Sequence, residues 1–220
     1  MVEGQLRARG IRDERVLEAM GTVPREAFVP VGLEEFAYDD APLPIGHGQT
    51  ISQPYVVALM IEALELRPND RVLDVGTGSG YAAAIASRIA LDVFTIERIE
   101  PLAREAEVRL RMLGYENVHV LVGDGSIGIP EHAPFDAIMV AAGSPEIPRA
   151  LREGLAIGGR LVLPVGASPR LQTLLRIRRL DESRYEEEDL GPVQFVPLVG
   201  EEGWASEDEG LGPSKGDGGG

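Results

Sequence analysis

Three glycines at alternate positions, Gly76, Gly78 and Gly80, close the run Val72 to Tyr81 (VLDVGTGSGY). The run starts as an apolar strand and leads into a helical pattern, and glycines at such a junction let a ligand approach main-chain N–H groups. Glu97 ends the next strand-like run, about 20 residues after the glycines, where a carboxylate can accept from both hydroxyls of a ribose. Gly123-Asp124-Gly125-Ser126 follows the third such run and places Asp124 where it can accept from an adenine amino group, although Asp-Gly is also a common turn. Together these positions mark the carboxyl edge of a sheet prepared for an adenosine-containing cofactor. A dinucleotide site favours G-x-G-x-x-G, which would put its third glycine where Tyr81 stands; Glu97 suits either cofactor class.

A second group of candidates lies in Gly46 to Tyr55 (GHGQTISQPY), where Thr50, Ser52 and Gln53 offer hydroxyls and an amide. Locally, Ser52 or Gln53 serves as the cap of a helix opened by Pro54. Ser52 has no evident adjacent base, which disfavours it as a covalent nucleophile. His47, His119 and His132 match no zinc spacing and are expected in structural or solvent-facing roles. The chain has 0 cysteines, excluding disulfides, thiolate metal sites and a cysteine nucleophile, and no metal is expected. Tyr55 and Trp204 are candidates for lining a cleft or for packing.

Positioning these residues requires a particular succession of elements. Strand-like runs fall at 71–75, 92–97, 118–122, 135–141 and 160–165, with helical patterns at 81–90, 101–113 and 146–155. Uniformly apolar strands separated by helices imply a parallel sheet covered on both faces. Strands at 172–180 and 193–199, joined by the acidic connection Asp181 to Asp189, are expected to pair antiparallel. The fold class is therefore α/β, a doubly wound and mostly parallel seven-stranded sheet. An N-terminal helical segment, residues 1–70, precedes a core at 71–199. It holds helices at 13–20, with Asp13 as N-cap, and at 53–66, the latter apolar on nearly every face and so buried. Residues 41–52 between them have no helical or strand period.

The 220 residues carry a net charge of −15, with 20 Arg and one Lys against 36 acids. The one basic cluster, Arg176, Arg178 and Arg179, has the spacing of a strand's solvent face, so nucleic acid and anionic membrane are not expected partners. The absence of a long apolar run and of an apolar leader points to a cytoplasmic protein. Residues 205–220 are rich in Gly and acids and are expected to form a disordered tail.

The G-x-G-x-G form resembles motif I of the class I S-adenosylmethionine-dependent methyltransferases, which have a Rossmann-like fold. The fourth strand ends AAGSPEIP and lacks the Asn-Pro-Pro-Tyr type of sequence seen in methylases of amino groups. The substrate loop GHGQTISQPY, with TVPREAFVP, YDDAPLPIG, VLDVGTGSGY, GDGS, APFDAIMVAA and VQFVPLVGEEGW in order, resembles the protein-L-isoaspartate O-methyltransferase family over residues 1–204. That resemblance implies one methyltransferase domain. It implies methyl transfer from S-adenosylmethionine to the free α-carboxylate of L-isoaspartyl residues in damaged proteins and peptides, initiating their repair. It places Ser52 and Thr50 at the catalytic centre and Ile51 and Gln53 in the substrate pocket. Asp74, Gly76, Thr77, Gly78, Ser79, Gly80, Glu97, Asp124 and Gly125 become the cofactor site. Rival readings are a methyltransferase acting on a small-molecule carboxylate or hydroxyl, a non-catalytic adenosine-binding module, and a nicotinamide-dependent oxidoreductase, which the glycine spacing disfavours.

Overall fold

A computed structural model describes residues 1–168 and 170–205. Of the tail expected to be disordered, 205–220, all but Ala205 lies outside the described residues. Helix α1 (Glu14–Thr22) is capped as its sequence dictates, Asp13 accepting from the Arg15 N–H at 2.9 Å. Strands β1 (Leu43–Gly46) and β2 (Gln49–Ile51) form a hairpin in the stretch expected to lack a strand period. Its turn is His47-Gly48, with φ of +52° and +70°; two successive positive φ values give a turn whose twist suits tight hairpins. Three residues of β2 are too few to show a period. Helix α2 (Pro54–Ala63) has proline in its first turn and buries Val57, Ala58, Met60 and Ile61.

Next come β3 (Arg71–Val75), α3 (Tyr81–Ser87), β4 (Asp92–Glu97), α4 (Glu100–Met112), β5 (Val118–Val122), β6 (Phe135–Val140), α5 (Arg149–Glu153) and β7 (Leu155–Ser168). Strands β8 (Leu171–Arg179) and β9 (Tyr185–Val193) complete a seven-stranded sheet of order β5-β4-β3-β6-β7-β8-β9, in which the first five strands are parallel, β8 pairs antiparallel with β7, and β9 pairs antiparallel with β8. Alternate residues of β3 serve two apolar layers: Val72 packs with Met20, Ile61 and Ile85, and Leu73 with Ile138, Leu151 and Leu161. Helix α5 is shorter than its pattern because Pro148 precedes it and Leu155 already enters β7.

The last strand differs from expectation. Residues 185–193, expected within or just beyond an exposed connection, form the edge strand β9, and the turn shrinks to Asp181 through Arg184. Charge complementarity contributes: Arg176 faces Glu188 across the ladder and its guanidinium pairs with that carboxylate, and opposite charges at facing positions favour pairing, while Arg178 turns instead to Glu65 at 2.8 Å. Acidic residues also protect an edge strand from pairing with other chains. Of residues 193–199, expected to be that strand, only Val193 belongs to β9, and the segment that follows is held by the buried Gln172 side chain, which donates to the Phe195 carbonyl at 3.1 Å and accepts from its N–H at 2.8 Å.

Candidate active site

The strand order reverses between β4, on one side of β3, and β6 on the other, and such a switch point opens a crevice at the carboxyl ends of the strands. A cleft lies there. Gly76, Thr77, Gly78, Ser79, Glu97 and Gly125 line it. Gly76, Gly78 and Gly80 all have positive φ, +93°, +52° and +91°. Two of them also meet close neighbours: a Cβ on Gly80 would stand 3.0 Å from Leu110, and one on Gly78 would stand 3.2 Å from Ile45 of the hairpin. Gly125 admits no side chain either, since a Cβ there would lie 2.5 Å from Val75.

Glu97 is 7 % exposed, and its two oxygens accept from the Gly78 and Ile99 N–H groups, both at 3.0 Å. The carboxylate therefore ties the glycine loop to the end of β4 while remaining on the cleft wall. A carboxylate has about four lone-pair positions, so capacity remains for ribose hydroxyls. This acid beside a cradle of side-chain-free backbone fits S-adenosylmethionine, whose adenosine and methionine parts need close approach and hydroxyl acceptors.

Asp74 lies beneath the loop and does not line the cleft. It is fully buried; Thr95 donates to one oxygen at 2.8 Å, and Thr77 in turn donates to Thr95 at 2.7 Å. Its other oxygen has no hydrogen-bond partner among the described residues, and burial pushes the carboxyl up to about 7. Asp74 thus shapes the loop through Thr77. Asp124 caps a short turn, accepting from the Ser126 N–H at 2.8 Å and hydroxyl at 2.7 Å, and from the Glu201 N–H at 2.7 Å. Three contacts leave that carboxylate about one further acceptor position. Sequence reasoning did not foresee that Asp124 pins the C-terminal segment, whose Val196 to Val199 form another wall of the cleft.

The hairpin brings the second candidate group to the same place. Thr50, Ile51 and Ser52 line the cleft, and Thr50, Ser52 and Gln53 line an adjoining groove with Tyr55, Phe195 and Arg170. Thr50 and Ser52 thus belong to the wall shared by both cavities. Gln53 is the N-cap residue of α2 but makes no side-chain capping bond, and among the described residues the Ser52 hydroxyl has no hydrogen bond. The local capping alternative is therefore not what holds Ser52. Its carbonyl accepts instead from the buried Arg25 at 2.8 Å.

The remaining candidates stand apart. His47 tips the hairpin, His119 contacts Asp92 at 3.3 Å, and His132 stacks on Phe94 with ring centroids 4.4 Å apart. The Trp204 indole donates to the Gly143 carbonyl at 3.0 Å and so packs the C-terminal segment down. No helix among the described residues is long and apolar enough to cross a membrane.

Comparison with known proteins agrees with this geometry. The family model described as protein-L-isoaspartate(D-aspartate) O-methyltransferase matches residues 1–203. The chain is 61 % identical over 204 residues to protein-L-isoaspartate O-methyltransferase 1 of Geotalea uraniireducens, covering 93 % of each chain. It is 60 % identical to protein-L-isoaspartate O-methyltransferase 2 of Marinobacter nauticus, again over 93 % of each. Among solved structures, one protein-L-isoaspartate O-methyltransferase superposes with a TM-score of 0.84 at 30 % identity, covering 92 % of this chain and 67 % of that one. A second, from Plasmodium falciparum and bound to S-adenosyl-L-homocysteine, gives 0.76 at 29 % identity, over 90 % of this chain and 96 % of that one. With the glycine cradle, the acid at the end of β4 and the Thr-Ile-Ser-Gln loop meeting at one switch point, the chain belongs to the protein-L-isoaspartate(D-aspartate) O-methyltransferase family.

Proposed function

We propose that residues 1–204 act as one methyltransferase domain that esterifies the free α-carboxylate of L-isoaspartyl residues in damaged proteins and peptides, in the cytoplasm. S-adenosylmethionine supplies the methyl group from its sulfonium. A carboxylate of ordinary pKa, about 4, is already ionised at neutral pH, so the chain need provide no general base. This agrees with a shared wall of Thr50, Ser52, Ala141, Val196 and Pro197, whose polar side chains are Thr50 and Ser52 and which holds no histidine or carboxylate. Gly76, Gly78, Gly80, Thr77, Ser79 and Gly125 cradle the cofactor, with Asp74 bracing the loop from below. Glu97 accepts from the ribose and Asp124 from the adenine edge.

The Ser52 hydroxyl donates to the incoming carboxylate and orients it, with Thr50 beside it, while Ile51 and Gln53 shape the substrate side. Ile51, 4 % exposed, keeps water from that wall. Holding the reacting groups in line is worth about 7 to 11 kcal/mol when orientation is good. The observation that carries this function is that Thr50 and Ser52 stand in the one wall common to the cofactor cleft and the adjoining groove.

The test is methyl release from an isoaspartyl peptide and its aspartyl twin, with Ser52→Ala alongside. Turnover is expected on the isoaspartyl form alone; equal signals from both peptides refute the specificity. Ser52→Ala should lower kcat at least tenfold with little change in cofactor affinity, since the lost bond belongs to the reacting geometry. Full kcat would move the catalytic role to Thr50 or to loop amides.

A further inference from the structure

Arg25 is a charge where none is expected. It sits in a short 3-10 turn, Arg25–Phe28, and is 0 % exposed, yet among the described residues no carboxylate comes within ion-pair distance of it. Its Nε donates to the Ala37 carbonyl at 2.6 Å and its Nη2 to the Ser52 carbonyl at 2.8 Å. Its guanidinium carbon stands 4.6 Å from the centroid of the Tyr81 ring. Nη1 is buried and has no hydrogen-bond partner among the described residues. An unpaired, incompletely satisfied cation is a poor device for stability alone, because apolar side chains of similar volume often replace buried ionic groups without loss.

What Arg25 touches accounts for it. Ser52 follows β2 and precedes α2, and with its side chain unbonded, its carbonyl is the group that a neighbour holds. Tyr81 is the first residue of α3, directly after the glycine loop, and lines the cofactor cleft. One rigid, planar fork therefore touches the substrate loop on one side and the cofactor scaffold on the other. A guanidinium holds its donors in one rigid plane, so it can fix two carbonyls while stacking on a ring, whereas an ammonium is a point charge on a flexible stem with no plane to stack.

We infer that Arg25 is a positioning residue for methyl transfer, fixing Ser52 against the cofactor scaffold through its main chain. Its role rests on Ser52 lying at the active site, and it extends that assignment to a residue outside both cavities.

The experiment compares Arg25→Met and Arg25→Lys with the wild-type chain and with Ser52→Ala. The readouts are kcat and KM on an isoaspartyl peptide at saturating S-adenosylmethionine, S-adenosylhomocysteine affinity by calorimetry, thermal unfolding, and hydrogen exchange over residues 50–53. Arg25→Met should lose at least tenfold in kcat and exchange faster over 50–53, while S-adenosylhomocysteine affinity stays within twofold. Arg25→Lys, retaining the cation but not the planar fork, should recover part of kcat but remain at least threefold below wild type. A folded Arg25→Met variant with kcat within twofold of wild type overturns the inference, as does an equal loss of kcat and cofactor affinity. If the Met variant does not fold, the Lys variant decides, and unchanged kcat in it overturns the inference. Full kcat in Ser52→Ala removes the hydroxyl's role, and the Arg25 readouts then judge the loop tether separately.

Discussion

Replacing Glu97 by Gln changes one atom's chemistry at the point where loop and cofactor meet. The carboxylate accepts from the Gly78 and Ile99 N–H groups, both at 3.0 Å. A glutamine amide has one carbonyl oxygen, so in either orientation one of those N–H groups faces an NH2 group. Losing a hydrogen bond to a charged acceptor costs about 1.5 to 3 kcal/mol, which for a chain of this size lowers Tm by about 3 to 12 °C. Cofactor binding should suffer separately, because the amide also offers a ribose one fewer acceptor. A loss of about 1 to 3 kcal/mol corresponds to roughly 5- to 150-fold weaker binding. Calorimetric titration with S-adenosylhomocysteine and thermal melts on the same preparation measure the two effects independently. A lowered Tm with affinity within twofold of wild type would refute the ribose assignment and leave Glu97 as a brace for the glycine loop alone.

Two further predictions concern the residues around that loop. Burial raises the Asp74 carboxyl from 3.8 to about 7, so the folded state holds this proton more tightly than the unfolded chain; the resulting stabilisation is full below about pH 4 and is lost as pH rises through about 7. Asp74→Asn should therefore flatten the fall in Tm between pH 5 and 8, and identical pH profiles for the two proteins would rule Asp74 out as its source. Gly78→Val places a β-branched residue at φ +52° with its Cβ 3.2 Å from Ile45, a conformation unfavourable by about 1 to 2 kcal/mol for any L-residue before the clash is counted. That variant should keep a native circular dichroism spectrum while S-adenosylhomocysteine binding falls at least a hundredfold, and normal affinity would remove the glycine loop from the site.

Much of this was legible in the residues themselves. Strands 71–75, 92–97 and 118–122 occupy the positions that their apolar runs mark; the first two are largely buried parallel strands, which carry their signal in nearly every residue. The Gly76, Gly78 and Gly80 spacing and Glu97 at the end of β4 were readable because backbone conformation and a strand's end are local properties. Long-range pairing was not. Strand β9 depends on its ladder with β8, where Arg176 pairs with the facing Glu188, and a run of acids read alone resembles a solvated loop. The β1–β2 hairpin escaped notice because three residues of β2 show no period, and its close approach to Gly78 exists only once the sheet has formed. Likewise Asp124 reads locally as a turn residue, while its bond to the Glu201 N–H joins residues 77 positions apart. Arg25 is the extreme case: a cation is expected at the surface, and only the packed core makes the Ser52 carbonyl and the Tyr81 ring its neighbours. Local chemistry is written along the chain, but which groups share a wall is settled when the sheet order folds distant segments over one switch point.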